Sequence, residues 1–153
     1  MTIEERFAAG EFKACECTCN VGYTIDTVDN ARKVADAKGL TLVVPDSKTA
    51  IVDIDAQTVP ADFKQRIGVL NRFLPVEQVY LTVTASGNLH AYIQFQEDIT
   101  EEQRIIVQST LGSDWQREML GWGRLRTHGA PGTVAFERPD AQRIALDWEA
   151  TNA

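Results

Sequence analysis

The sequence contains no apolar run near the roughly 18 residues that a membrane-crossing helix needs, so no membrane partner is expected. It has no basic excess either. Fifteen Lys and Arg stand against 22 Asp and Glu, for a net charge of −7. That argues against broad electrostatic adhesion to nucleic acid, which needs a basic surface. It leaves room for an enzyme whose acidic centre is neutralised by metal ions. The first residues, Met1 to Phe7, show no basic stretch followed by an apolar one, so no export signal is expected and the cytoplasm is the default address. Repeats, low-complexity tracts and Gly/Ser linkers are missing as well, which predicts one domain. Cysteine is scarce and confined to one place, Cys15, Cys17 and Cys19. Alternate thiolates suit a soft metal such as zinc or copper(I), but no fourth ligand lies nearby to complete a tetrahedral zinc site. The spacing favours a reduced segment with small, half-buried thiols.

What remains is an ordinary globular composition, 44% hydrophobic and 24% charged, and a clear order of elements. Residues 1–27 have no period and read as an irregular arm. Asp29 to Lys38 suit a helix capped by Asp29 and stopped by Gly39, with Ala31, Val34 and Ala35 on one face. Leu40 to Val44 and Ala50 to Ala56 read as strands, with Pro45-Asp46-Ser47 as the turn between them. Phe63, Ile67, Leu70 and Leu74 make a helical stripe over Pro60 to Leu74, ended by Pro75. Val79 to Ala85 and Leu89 to Gln96 alternate around Ser86-Gly87-Asn88, the pattern of a hairpin. Capping boxes at Thr100–Gln103 and Ser113–Gln116 open helices to about Leu111 and Leu125. Trp115, Met119 and Trp122 share a face of the second, which predicts a core stripe rather than a base-stacking platform. A strand over Thr133 to Arg138 and a final helix over Ala141 to Trp148 complete the chain.

Strand, helix, hairpin, helices, strand is the split βαβ order of ferredoxin-like and RNA-recognition-motif folds. The expectation is an α+β domain: an N-terminal extension over 1–47, a core over 48–138 and a tail over 139–153. Helices would cover one sheet face and leave the other open, with Ala50–Ala56 beside Leu89–Gln96. The Leu40–Val44 strand would extend the sheet or compete with the last strand for the free side of Ala50–Ala56.

Period-two alternation then selects a site. Val52 and Ile54 point one way and Asp53 and Asp55 the other; Leu89, Ala91, Ile93 and Phe95 are apolar, while His90, Tyr92 and Gln94 share the polar face. Asp53, Asp55 and His90 are therefore expected together on the open face. Two carboxylates at this spacing repel unless a cation sits between them, and Mg²⁺ or Mn²⁺ suits carboxylates that also meet substrate phosphates. Solvated aspartates at a strand end and an idle exposed histidine are the plainer readings of the same residues. The preceding loop, Thr84 to Gly87, offers hydroxyls and backbone N–H groups to an anion. Arg117, Arg124, Arg126 and His128 form the one local positive cluster, with helix-end charge as its plain explanation.

Ile-Val-Asp-Ile-Asp, followed by Thr-Ala-Ser-Gly-Asn-Leu-His-Ala-Tyr-Ile, resembles the first two motifs of the archaeo-eukaryotic primase superfamily over about Lys48 to Gln96. The resemblance implies a modified RNA-recognition-motif core and metals on Asp53 and Asp55. It also implies a nucleotide contact from His90, helped by Ser86. Arg124, from the positive cluster, is a further candidate nucleotide contact. A third strand-borne carboxylate would be Glu137; Asp114 is an alternative that already has a capping role. The compact chain also resembles small bacteriophage proteins, whose setting would be the host cytoplasm. Two functions follow: a minimal metal-dependent nucleotidyltransferase acting on nucleoside triphosphates and nucleic acid, or a non-catalytic accessory or inhibitor that binds a host protein or nucleic acid. A metal-dependent phosphoesterase is a weaker third.

Overall fold

A computed structural model describes residues 27–129 and 131–149. Apart from Thr27, the expected arm lies outside the described residues, as do Cys15, Cys17 and Cys19. The described chain is α+β, with four helices and antiparallel sheets. Helix α1 is Val28–Lys38. Its cap is Thr27, whose side chain accepts from the Asn30 N–H at 3.2 Å, and Asp29 sits in the first turn instead. Gly39 ends it with φ of 65°, a left-handed conformation that glycine adopts without strain. Strands β1 (Thr41–Val43) and β2 (Thr49–Ile54) follow, then helix α2 (Phe63–Leu70), shorter than its apolar stripe suggests. Strands β3 (Val76–Val83) and β4 (Leu89–Phe95) form the expected hairpin. Helix α3 (Glu101–Thr110) has the capping box at Thr100 and Gln103, and α4 spans Trp115–His128. Strands β5 (Ala135–Glu137) and β6 (Ile144–Ala145) end the fold.

The main sheet has the order β2-β4-β3-β6, all antiparallel, so β2 and β4 are neighbours as expected. Strand β5 does not join it. It pairs with β1 in a separate ribbon, Thr41 opposite Glu137 and Val43 opposite Ala135. The cause lies at the free edge of β2. Arg104 donates to the Thr49 carbonyl at 2.9 Å, the Ile51 N–H donates to Gln108 at 2.9 Å, and Arg117 donates to the Ile51 carbonyl at 2.6 Å. The Asp53 N–H donates to Ser113 at 2.9 Å, and its carbonyl accepts from the Asp114 N–H at 2.9 Å. Buried backbone groups must find partners, and here side chains and a turn from α3 and α4 occupy the positions another strand would use.

Three apolar clusters define the layers. Ala50, Val52, Ile54, Ala91, Ile93 and Phe95 pack against Phe63, Ile67, Val107 and Leu111 of α2, α3 and the turn after α3. On the opposite face Ile51, Tyr80 and Tyr92 pack against Ala135 and Val43 of the ribbon. The ribbon's outer side, Leu42, Val134 and Phe136, packs against Ala31 and Val34 of α1. The face expected to be open is therefore roofed.

Two further expectations are corrected. The Ala141–Trp148 segment is not helical: Ile144–Ala145 pair with β3, the Leu146 N–H donates to the Val79 carbonyl, and Leu146 and Trp148 pack on the core. The Trp115–Met119–Trp122 stripe is not core, since Trp115 is 71% and Met119 40% exposed. Helix α4 instead buries Glu118, Gly121, Gly123 and Arg124. Gly121 backs so closely onto the Gly132 carbonyl that an added Cβ would lie 2.8 Å from its oxygen.

Candidate functional site

Asp53 and His90 are direct cross-strand partners, and Thr82 lies opposite His90 on its other side. Alternation turns all three toward the ribbon, where β5 delivers Glu137. One oxygen of Glu137 gathers three bonds: His90 Nδ1 at 2.6 Å, the Tyr92 hydroxyl at 2.6 Å and the Thr82 hydroxyl at 2.9 Å. An ionised carboxylate only accepts, so the His90 proton on that side sits on Nδ1. The second oxygen, Oε2, is buried and has no hydrogen-bond partner among the described residues.

Burial alone would raise the Glu137 pKa. The bond and charge of His90, with the Tyr92 and Thr82 donors, outweigh it and hold the carboxyl below its ordinary range. Burial, followed by the Glu137 carboxylate as acceptor and as charge, pushes the Tyr92 phenol far above its usual range. Tyr92 therefore acts as a fixed donor.

With Nδ1 committed to Glu137, the other imidazole nitrogen faces Asp53. Nε2 lies 3.6 Å from Asp53 Oδ1, too long for a good hydrogen bond. The Asp53 side chain is 30% exposed, and its backbone is pinned on both sides by Ser113 and Asp114. This leaves a carboxylate and an imidazole nitrogen side by side at the end of β2, oriented from behind by a buried acid.

The other candidates are placed differently. Asp55 lies one residue past β2 and accepts from the Asn88 side chain at 2.8 Å. Ser86 is in the β3–β4 turn, where its hydroxyl meets that of Thr84 at 3.0 Å. Arg124 is buried and donates to the Gly132 carbonyl, a packing role at the far end of α4. Asp114 caps α4, accepting from the Gln116 and Arg117 N–H groups at 2.8 and 3.4 Å. Ser113, the expected cap, instead donates to Glu118 at 2.9 Å. Glu118 in turn accepts from Gln108 at 2.8 Å and Arg117 at 3.0 Å. Burial raises the Glu118 pKa against the pull of Arg117.

Among the described residues, no three His, Cys, Asp or Glu side chains are arranged to hold a metal ion by themselves. Asp53 and Asp55 lie two residues apart, one within β2 and one just past its end. No helix among the described residues is long and apolar enough to cross a membrane.

Thr82 and Tyr92 were missed as members of the site, although alternation alone puts both on the His90 face. Gln108, Ser113 and Glu118 carry no such signal, because their roles depend on how α3 and α4 meet the β2 edge. Comparisons with protein-family models, curated proteins and solved structures find no match.

Proposed function

We propose that this chain is a minimal nucleotide-handling domain related to the primase–polymerase type, with Asp53 and His90 at its centre. The observation that carries this reading is the imidazole of His90, locked on Nδ1 by buried Glu137 and turned with Nε2 toward Asp53. The order β2-α2-β3-β4, with β4 between β2 and β3, supports a ferredoxin-like or RNA-recognition-motif-like ancestry for the sheet. The sequence motifs around Asp53 and His90 support the same kinship.

In this reading Asp53 and Asp55 receive the Mg²⁺ or Mn²⁺ of a metal–nucleoside triphosphate. That ion would neutralise phosphate charge and activate an attacking hydroxyl. The chain's own groups do the rest. His90 Nε2 meets a phosphate oxygen, donating to it as imidazolium. Glu137 holds the ring in place and balances its charge. Ser86 and Thr84 present hydroxyls at the neighbouring turn. Calorimetric titration with Mn²⁺ and a nucleoside triphosphate should give a binding signal that an Asp53→Ala/Asp55→Ala double variant loses. Identical responses from both proteins would sink the proposal.

A second reading has an observation of its own. The ribbon covers the sheet face and buries Tyr80 and Tyr92, stacked on each other at 4.8 Å. Those rings are closed to bases, so the Glu137 cluster acts only as a latch for the ribbon, and the chain is a non-catalytic accessory or inhibitor protein. A stoichiometric host-protein complex, with no metal–triphosphate binding, favours that reading.

A further inference from the structure

We propose that the chain self-associates through β6, whose outer edge pairs antiparallel with the β6 of a second copy. The proposal is independent of the nucleotide-handling reading. Among the described residues, β6 is the outer strand of the main sheet. It meets β3 with Ile144 opposite Leu81 and Ala145 opposite Tyr80, and the Leu146 N–H donates to the Val79 carbonyl at 2.9 Å. In an antiparallel ladder, residues that exchange hydrogen bonds alternate with residues that do not. Ile144 and Leu146 therefore turn their backbone groups toward β3, whereas Arg143, Ala145 and Asp147 turn theirs to the outer edge. All three of these are exposed, and Ile144 is 54% exposed. A row of outward N–H and C=O groups is a template for another strand.

Charge complementarity along the edge selects a second copy as the occupant. The edge reads Arg143-Ile144-Ala145-Leu146-Asp147, which complements itself when run antiparallel. With a two-fold axis at Ala145, each Arg143 lies opposite Asp147 of the second copy, and each Ile144 lies opposite Leu146 of the second copy. Opposite charges directly across an antiparallel pair attract, and like charges repel. Moving the axis to Arg143 or to Asp147 would set like charges face to face. Because such a contact is isologous, each favourable pair occurs twice. Each copy carries a net charge of −7, but the edge itself is close to balance: Arg138 and Arg143 stand against Asp140, Asp147 and Glu149. The repulsion between copies is thus not concentrated where they meet. Strand β6 lies at the edge opposite β2, so the pairing joins two sheets at a distance from Asp53. The strip is short, which makes the dimer weak and concentration-dependent.

The test is sedimentation equilibrium of the full chain from about 10 μM to about 1 mM, the range that suits a small interface. Wild type should pass from monomer to dimer. Ala145→Pro should weaken the dimer by about tenfold or more, because proline removes an N–H that the second copy uses and β3 does not. Its unfolding midpoint should stay in place; should it move, the charge series decides alone. Arg143→Asp and Asp147→Arg should each weaken the dimer by setting like charges opposite one another. The Arg143→Asp/Asp147→Arg double variant should recover association to within a few-fold of wild type. The Arg143 guanidinium also lies over the Tyr80 ring at 4.5 Å, and loss of that contact alone would not be repaired by the second substitution. A wild-type monomer at every concentration overturns the proposal. A dimer that Ala145→Pro leaves intact, or that the charge exchange fails to restore, also overturns it. Loss of the dimer in Trp115→Ala but not in Ala145→Pro overturns it as well, moving the contact to α4.

Discussion

Replacing Glu137 with alanine removes the one acceptor shared by His90, Tyr92 and Thr82. All three donors are buried, at 7, 4 and 4% exposure, so water cannot readily take the carboxylate's place. Each stranded donor costs about 1–3 kcal/mol. Because the donors share one oxygen, these losses do not simply add, and the whole falls within the ~3–5 kcal/mol typical of breaking a buried charged pair. Glu137→Gln keeps an acceptor but no charge, and brings an amide N–H₂ into the place where Oε2 has no partner among the described residues. Its cost should be about 1–3 kcal/mol. Urea titration at neutral pH measures both as shifts of the midpoint at constant slope. The acid limb provides a second check. Glu137 has a folded pKa below its ordinary value of about 4.5, so its stabilisation is present above that value and disappears as pH falls through the lower folded one. Glu137→Ala should therefore lose less stability on acidification than wild type. A Glu137→Ala midpoint within about 0.5 kcal/mol of wild type would show that the ribbon is not held by this cluster.

Gly121→Ala should destabilise by about 1–3 kcal/mol, because the new Cβ would press on the Gly132 carbonyl. Gly68→Ala, in α2 with open space around it, should stabilise by roughly 0.5–1 kcal/mol. Thermal unfolding of the two variants should shift in opposite directions. Glu118 has the reverse pH sign from Glu137. Its folded pKa is raised by burial, so its contribution is full below about 4.5 and is lost as pH rises through the folded value. Glu118→Gln should flatten that part of the stability profile, and an unchanged profile would contradict the assignment.

Much of the frame was legible because local signals agreed with the tertiary outcome. The hairpin alternation, the Thr100–Gln103 box and the Gly39 stop each depend on a few neighbouring residues. The pairing of Asp53 with His90 followed from alternation plus element order. What failed was decided at a distance. Nothing near Glu137 shows that its strand pairs with β1 and roofs the sheet, since that outcome depends on Arg104, Gln108, Ser113 and Arg117 closing the β2 edge. The Trp115 stripe was misread because helical period reports that a face is apolar, not whether anything covers it. In α4 two glycines and a satisfied glutamate let the polar side go inward. The tail had a readable signal after all: Ile144, Leu146 and Trp148 alternate as a strand edge does.

The central claim is that His90 Nε2, oriented by Glu137, faces a bound metal–triphosphate beside Asp53. The chain has only two histidines, His90 and His128, so nitrogen-15 NMR of the imidazoles reads the claim directly. On addition of Mg²⁺ and a nucleoside triphosphate, the Nε2 resonance of His90 should shift while that of His128 stays in place, and Asp53→Ala should abolish the response. A His90 signal unmoved at saturating ligand, or one that moves equally in Asp53→Ala, would contradict it.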